Sequence, residues 1–158
     1  VKIERFYYLH NKIVAEIVSY LGDVKAQNEE LDLALIEVNS PRELGHVSHL
    51  INDEDLNNIS LYDPVFACGC ALGNFPYITN GNLAIVNPEY LLITAHATFG
   101  NSGGGAFTSD GRILGLVNKI GAVRTPDGKL FPEPNIIHAI PSTIIISWLH
   151  ASGFDFKF

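Results

Sequence analysis

Gly100-Asn101-Ser102-Gly103-Gly104 is the stretch of this chain whose residue types and spacing say most about chemistry. Glycines beside a serine permit a tight turn, because a residue without Cβ adopts backbone conformations that others avoid. Such a turn stands the hydroxyl out and aims successive backbone N–H groups at one point. There they can stabilise negative charge growing on an oxygen. The matching chemistry is acyl transfer, with Ser102 attacking a carbonyl and Gly100, Asn101 and Ser102 forming the oxyanion hole. A Walker phosphate loop needs Lys and then Ser or Thr after its last glycine, and this chain continues Gly105-Ala106-Phe107. An ordinary glycine-rich loop is the other alternative.

A hydroxyl needs a base, and a base needs an orienting partner. Asp32 lies 70 residues before Ser102, within Leu31-Asp32-Leu33-Ala34-Leu35-Ile36. An unpaired carboxylate is costly to bury among such residues, so Asp32 is expected to be buried and to accept a hydrogen bond from a histidine. The plainer reading is a solvated strand end.

The elements that must position these residues read as short apolar or alternating runs between turn residues, the pattern of an all-β barrel or sandwich. Expected strands are Lys2 to Leu9 and Ile13 to Leu21 around a His10-Asn11-Lys12 tip, then Leu31 to Val38, ended by Asn39-Ser40-Pro41. A long acidic connection from Arg42 to Asn58 is expected to hold a helical turn, and Val65 to Leu72 follows as a strand. Asn80-Gly81-Asn82 reads as a turn before strands Leu83 to Val86 and Tyr90 to Thr94. Ala106-Phe107 and Ile113 to Val117 read as a hairpin. Thr125 to Pro134 reads as a loop, and Asn135 to Ile140 as the last strand. Pro141-Ser142 opens a C-terminal helix running to about Ala151, since proline suits a helix start.

The motifs resemble those of the trypsin-like (chymotrypsin-fold) serine peptidases, especially the HtrA-type and compact bacterial and viral members. Asp32-Leu33-Ala34-Leu35 is similar to the D-[LI]-A-L segment, and Gly100 to Gly104 to G-N-S-G-G. Val65-Phe66-Ala67-Cys68-Gly69 with Leu72-Gly73 resembles V-x-A-x-G-x-P-L-G, although Ala71 replaces the proline. Gly111-Arg112-Ile113-Leu114-Gly115-Leu116 resembles the hairpin after the nucleophile, and His138-Ala139-Ile140-Pro141 the F-A-I-P entry to the helix. The resemblance implies a double Greek-key β-barrel with a C-terminal helix, the first barrel incomplete in this chain. Residues 1–60 would be the remainder of the N-terminal barrel, 61–140 the C-terminal barrel and 141–152 the helix, all in one peptidase domain. It implies no cofactor or metal and a protein or peptide substrate.

The family places its base in a [TA]-A-x-H segment before the aspartate. Of six histidines only His10 precedes Asp32, in a hairpin-tip context, and Thr94-Ala95-His96 lies too near Ser102 to serve. The histidine is therefore expected upstream of Val1; the alternative is an inactive peptide-binding or scaffold protein on the same fold. A self-cleaving maturation protease, its aromatic tail Phe154 to Phe158 in the cleft, is a third class. By resemblance, His96, Ala97, Thr98 and Phe99 with Val117, Asn118, Lys119 and Ile120 line the pocket for the residue before the scissile bond. Either His96 hydrogen-bonds an acidic, amide or hydroxyl side chain there, or it turns away and leaves a small apolar pocket.

Composition narrows the partners. A net charge of −7 and the lack of any basic run argue against nucleic acid. No apolar run approaches the roughly 18 residues of a membrane span. Cys68 and Cys70 are expected as free buried thiols on one strand face, a weak pointer to a reducing compartment. His46 and His49 are three apart in the acidic loop and are expected to be solvated rather than half of a metal site.

Overall fold

The computed structural model describes residues 1–10, 13–39 and 47–156. Expectations on Asn11, Lys12, Ser40, Pro41, His46, Lys157 and Phe158 fall outside them. The chain divides into two compact units, Val1–Val47 and Ser48–Phe158.

The first unit is an antiparallel sheet of β1 (Lys2–Leu9), β2 (Ile13–Asn28) and β3 (Leu33–Asn39), in that order. β2 runs well past the expected Leu21 because its second half pairs with β3, from Leu21↔Asn39 to Asn28↔Leu33. Gly22 lies where the β1 and β3 pairings of the strand meet, and a Cβ there would stand 2.7 Å from both the Ile3 and Ile36 side chains. The Val1 nitrogen donates to the Gly22 carbonyl at 2.8 Å, and the Gly22 N–H to the Val1 carbonyl at 2.9 Å, which extends the β1–β2 pairing.

The second unit is a closed six-stranded barrel. Its strands are β4 (Pro64–Gly69), β5 (Tyr77–Val86), β6 (Leu91–Ile93), β7 (Gly105–Thr108), β8 (Ile113–Arg124) and β9 (Leu130–Pro141). They close in the order β4-β5-β6-β9-β8-β7. Period-2 alternation sends Val65, Ala67, Leu83, Leu91, Ile93, Ala106, Leu114, Ile137 and Ala139 into one core. A short helix α1 (Asp53–Asn57) precedes β4, capped by the Asn52 side chain accepting from the Asp55 N–H. The C-terminal helix α2 (Ser142–Ala151) has Pro141 as its N-cap and buries Ile145, Trp148 and Leu149, an i, i+3, i+4 stripe. Buried Ser142 at its first turn donates its hydroxyl to the Ile51 carbonyl at 2.6 Å.

Two expectations are corrected. Asn80-Gly81-Asn82 is not a turn but the middle of β5, paired with Phe66, Val65 and Pro64. Gly81 is needed there because a Cβ would collide with the Thr94 and Ala95 backbone. Nor is Thr125 to Pro134 all loop. The turn ends at Lys129, whose carbonyl accepts the Thr125 N–H at 2.9 Å, and Leu130 to Glu133 pairs with β8 despite Pro132.

Candidate active site

The Ser102 turn is held from three sides. Asn101, only 2% exposed, donates its backbone N–H to the Thr98 carbonyl at 3.1 Å. Its side-chain Oδ1 accepts the Thr98 N–H at 3.0 Å, and its carbonyl accepts the Gly104 N–H at 2.9 Å. On the β8 side, Gly103 N–H donates to Val117 O at 2.7 Å and Val117 N–H to Gly104 O at 2.8 Å. On the β4–β5 side, Leu72 N–H donates to Phe99 O at 2.7 Å. Gly100 follows at φ +97°, and a Cβ there would stand 2.5 Å from the Cys70 carbonyl. No L side chain suits that backbone.

Ser102 itself is exposed, and its hydroxyl donates to the Asn118 carbonyl at 3.2 Å. Among the described residues, neither the Gly100 nor the Ser102 amide donates a backbone hydrogen bond. An exposed hydroxyl and two available amides on one clamped turn suit attack on a carbonyl with the oxyanion held by main chain.

Asp32 differs from expectation. It is exposed, at φ +55° in the turn leading into β3, and the neighbouring Leu33 is buried in its place. The apolar residues around it in sequence alternate sides in β3 and do not enclose it. His10 ends β1, beyond Leu9↔Ile13, while Asp32 precedes the Leu33↔Asn28 pair at the other end of β2. The length of β2, on the order of 50 Å at about 3.3 Å per residue, separates them, so His10 is not its histidine partner.

The pocket candidates divide by the pleat. Ala97 and Val117 point into the barrel core, so those two positions can offer a ligand only main chain. Ile120 packs against the same core. His96, Phe99 and Lys119 are exposed, with Thr98 and Asn118 half-buried. His96 Nδ1 lies 3.3 Å from Asn135 Oδ1, a β9 residue not foreseen as its neighbour, and the His96 carbonyl accepts the Thr79 hydroxyl at 2.7 Å.

The thiols also depart from expectation. Cys68 is half-buried in β4, whereas Cys70 lies beyond the strand end and is exposed; both are free. Burial pushes the Cys68 thiol up, with a smaller push from Cys70. His138 sits half-buried in β9 with its ring 5.2 Å from that of Tyr90. Exposed His49 uses its carbonyl to accept the Ile113 N–H at 2.8 Å. Among the described residues no group of His, Cys, Asp or Glu is arranged to hold a metal ion. No helix among them is long and apolar enough to cross a membrane.

A closed β-barrel with a C-terminal helix and a glycine-clamped serine defines a class, and comparison with known proteins agrees. The family model for the trypsin-like peptidase domain matches residues 5–116, and the chain belongs to that family. No curated protein matches the chain. Among solved structures it is similar to that titled "HtrA-type protease AlgW with decapeptide", with a TM-score of 0.71 at 19% sequence identity. The match covers 88% of this chain and 42% of that one, so the chain spans less than half of its structural relative. At that identity the likeness establishes the fold.

Proposed function

We propose that the chain carries the nucleophile of a serine endopeptidase, within one peptidase domain whose N-terminal barrel includes β1–β3. The observation that carries this is the Ser102 turn. Its hydroxyl is exposed beside two amides with no backbone acceptor, on a loop clamped by hydrogen bonds from both flanks. In the proposed reaction Ser102 Oγ attacks the scissile carbonyl carbon and passes its proton to a histidine. The Gly100 and Ser102 N–H groups hold the resulting oxyanion, and the histidine returns the proton to the departing amine. Water, deprotonated by the same histidine, then hydrolyses the acyl-enzyme. Asp32 orients that histidine, which we place upstream of Val1. The similar structure contains a decapeptide, which supports a peptide as the ligand class.

One observation favours a second reading, an inactive peptide-binding protein on the same fold. The Ser102 hydroxyl donates to a main-chain carbonyl, an arrangement that does not activate it. A fluorophosphonate probe on the intact source protein separates the two, with the labelled peptide mapped by mass spectrometry. Labelling at Ser102, lost in Ser102→Ala, is expected; no labelling of folded protein, with no histidine motif upstream, overturns the peptidase reading in favour of the binder. The His96–Asn135 contact supports a polar floor to the primary pocket. Cleavage only after small aliphatic residues, unchanged in His96→Ala, would remove that part.

A further inference from the structure

One hollow shares a wall residue, Asn118, with the hydrogen bond of the Ser102 hydroxyl. Its volume is about 230 Å³, and it is walled by Glu89, Tyr90, Asn118, Lys119 and His138. Asn118 links it to Ser102, because the Asn118 carbonyl accepts the Ser102 hydroxyl. The link has a cause in the sheet. β8 pairs Val117↔Ala139 and then Lys119↔His138, so Asn118 is the extra residue of a bulge. A bulge re-aims the groups around it, which here turns one residue toward both the nucleophile and the hollow. At 230 Å³ the hollow is smaller than an ordinary ligand pocket and suits a single side chain.

Its walls select the side chain. Lys119 and His138 are direct cross-strand partners, and the His138 ring lies against Tyr90. The hollow is thus lined by one residue that carries an ammonium, one an imidazole and one a phenol. Of the described lysines, Lys2, Lys25 and Lys129 each pair with a carboxylate at 3.0 Å or less. No carboxylate among the described residues lies within ion-pair distance of Lys119, although the chain carries a net charge of −7. Glu89, on the same rim, is the one acid facing the hollow and opposes a second negative charge.

We infer that this hollow is a specificity subsite for an acidic side chain of the peptide, two to four residues before the scissile bond. The inference rests on Ser102 being the nucleophile. It moves Lys119 from the expected primary pocket to this subsite, with Lys119 and His138 as donors and Glu89 as the residue that limits the preference.

The test uses the full-length source protein and peptides that differ only by Glu, Gln or Lys at the second, third or fourth residue before the bond. One position should show kcat/KM for Glu about 1.5- to 5-fold above Gln, the range of an exposed ion pair. Lys119→Glu should turn that into a preference for Lys, and Glu89→Gln should widen the original one. If Lys119→Glu does not fold by circular dichroism, Lys119→Gln should abolish the preference. Equal rates at all three positions, or a preference for Glu that survives both Lys119 variants, overturns the subsite. Labelling of wild-type Ser102 keeps that failure apart from failure of the peptidase reading. If wild type is neither labelled nor active, the peptidase reading falls. The same peptides, followed by fluorescence anisotropy, then decide the subsite through tighter binding of Glu and its reversal in Lys119→Glu.

Discussion

Asn101→Ala removes the side chain that ties the nucleophile turn together without touching the reacting atoms. Asn101 Oδ1 accepts the Thr98 N–H at 3.0 Å, and the residue is 2% exposed, so no water readily replaces it. A buried donor left without its acceptor costs about 1–3 kcal/mol, and the void left by the amide adds to this. A total of about 2–3 kcal/mol lowers the midpoint of thermal unfolding by about 5–10 °C for a domain of this size. Activity should fall too, since Gly100 and Ser102 flank the residue on the turn. Loss of a whole oxyanion donor costs about 10²–10³-fold, and loosening the turn should cost at least about 10-fold but less than that. The readouts are the melting curve and the rate of fluorophosphonate labelling in the full-length protein, taken well below the variant's midpoint. Asn101→Asp keeps an acceptor toward Thr98 but buries a carboxylate, so it should recover only part of either. An unchanged midpoint would refute the buried bond. A lowered midpoint with labelling at the wild-type rate would show that Asn101 stabilises the barrel without positioning the amides.

Three further outcomes follow from single contacts. Gly100→Ala forces a Cβ onto a φ of +97° and to 2.5 Å from the Cys70 carbonyl; strain of about 1–3 kcal/mol should lower the melting midpoint and slow labelling together. Ser142→Ala deletes the 2.6 Å bond to the Ile51 carbonyl inside the core; a loss of about 1–3 kcal/mol, read by chemical denaturation, should leave the labelling rate of the folded fraction unchanged. With iodoacetamide, exposed Cys70 should react before Cys68, whose thiol burial holds protonated to higher pH. Peptide mapping across a pH series should show Cys68 alkylation beginning above the usual range of a cysteine thiol.

What was legible in the sequence was what local chemistry dictates. The Ser102 turn is coded by its own glycines, and the alternation of β4 by Val65 and Ala67 facing inward. The helix α2 is coded by Pro141 and an apolar stripe at helical spacing. The misses depend on partners far away in sequence. Asn-Gly-Asn reads as a turn by local preference, yet residues 80–82 stay extended because Gly81 passes against the backbone of Thr94 and Ala95. Pro132 argues locally against a strand, but the hairpin arm from Gly121 to Arg124 pairs with Leu130 to Glu133 all the same. Asp32 shows the limit of inferring burial from apolar neighbours. In β3 those neighbours alternate sides, and burial follows the face rather than the run.

The same distinction bears on how Ser102 is to be understood. Every bond that shapes its turn comes from Thr98, Asn101, Gly103, Gly104, Val117 and the Leu72–Phe99 strap, all inside Ser48–Phe158. The turn therefore needs no general base in order to form, and its geometry is compatible with a peptidase and with a peptide binder alike. What distinguishes them is whether the Ser102 hydroxyl, now hydrogen-bonded to the Asn118 carbonyl, has a histidine to take its proton. That carbonyl belongs to the bulged residue of β8, which also forms a wall of the hollow beside Lys119 and His138. A peptide side chain seated there lies within one residue of the group that holds the hydroxyl. Occupancy of the hollow and release of the Ser102 hydroxyl thus meet at Asn118. Labelling of Ser102 should accordingly respond to a saturating, uncleavable acidic peptide more than to its glutamine counterpart, and an equal response to both would separate the hollow from the nucleophile.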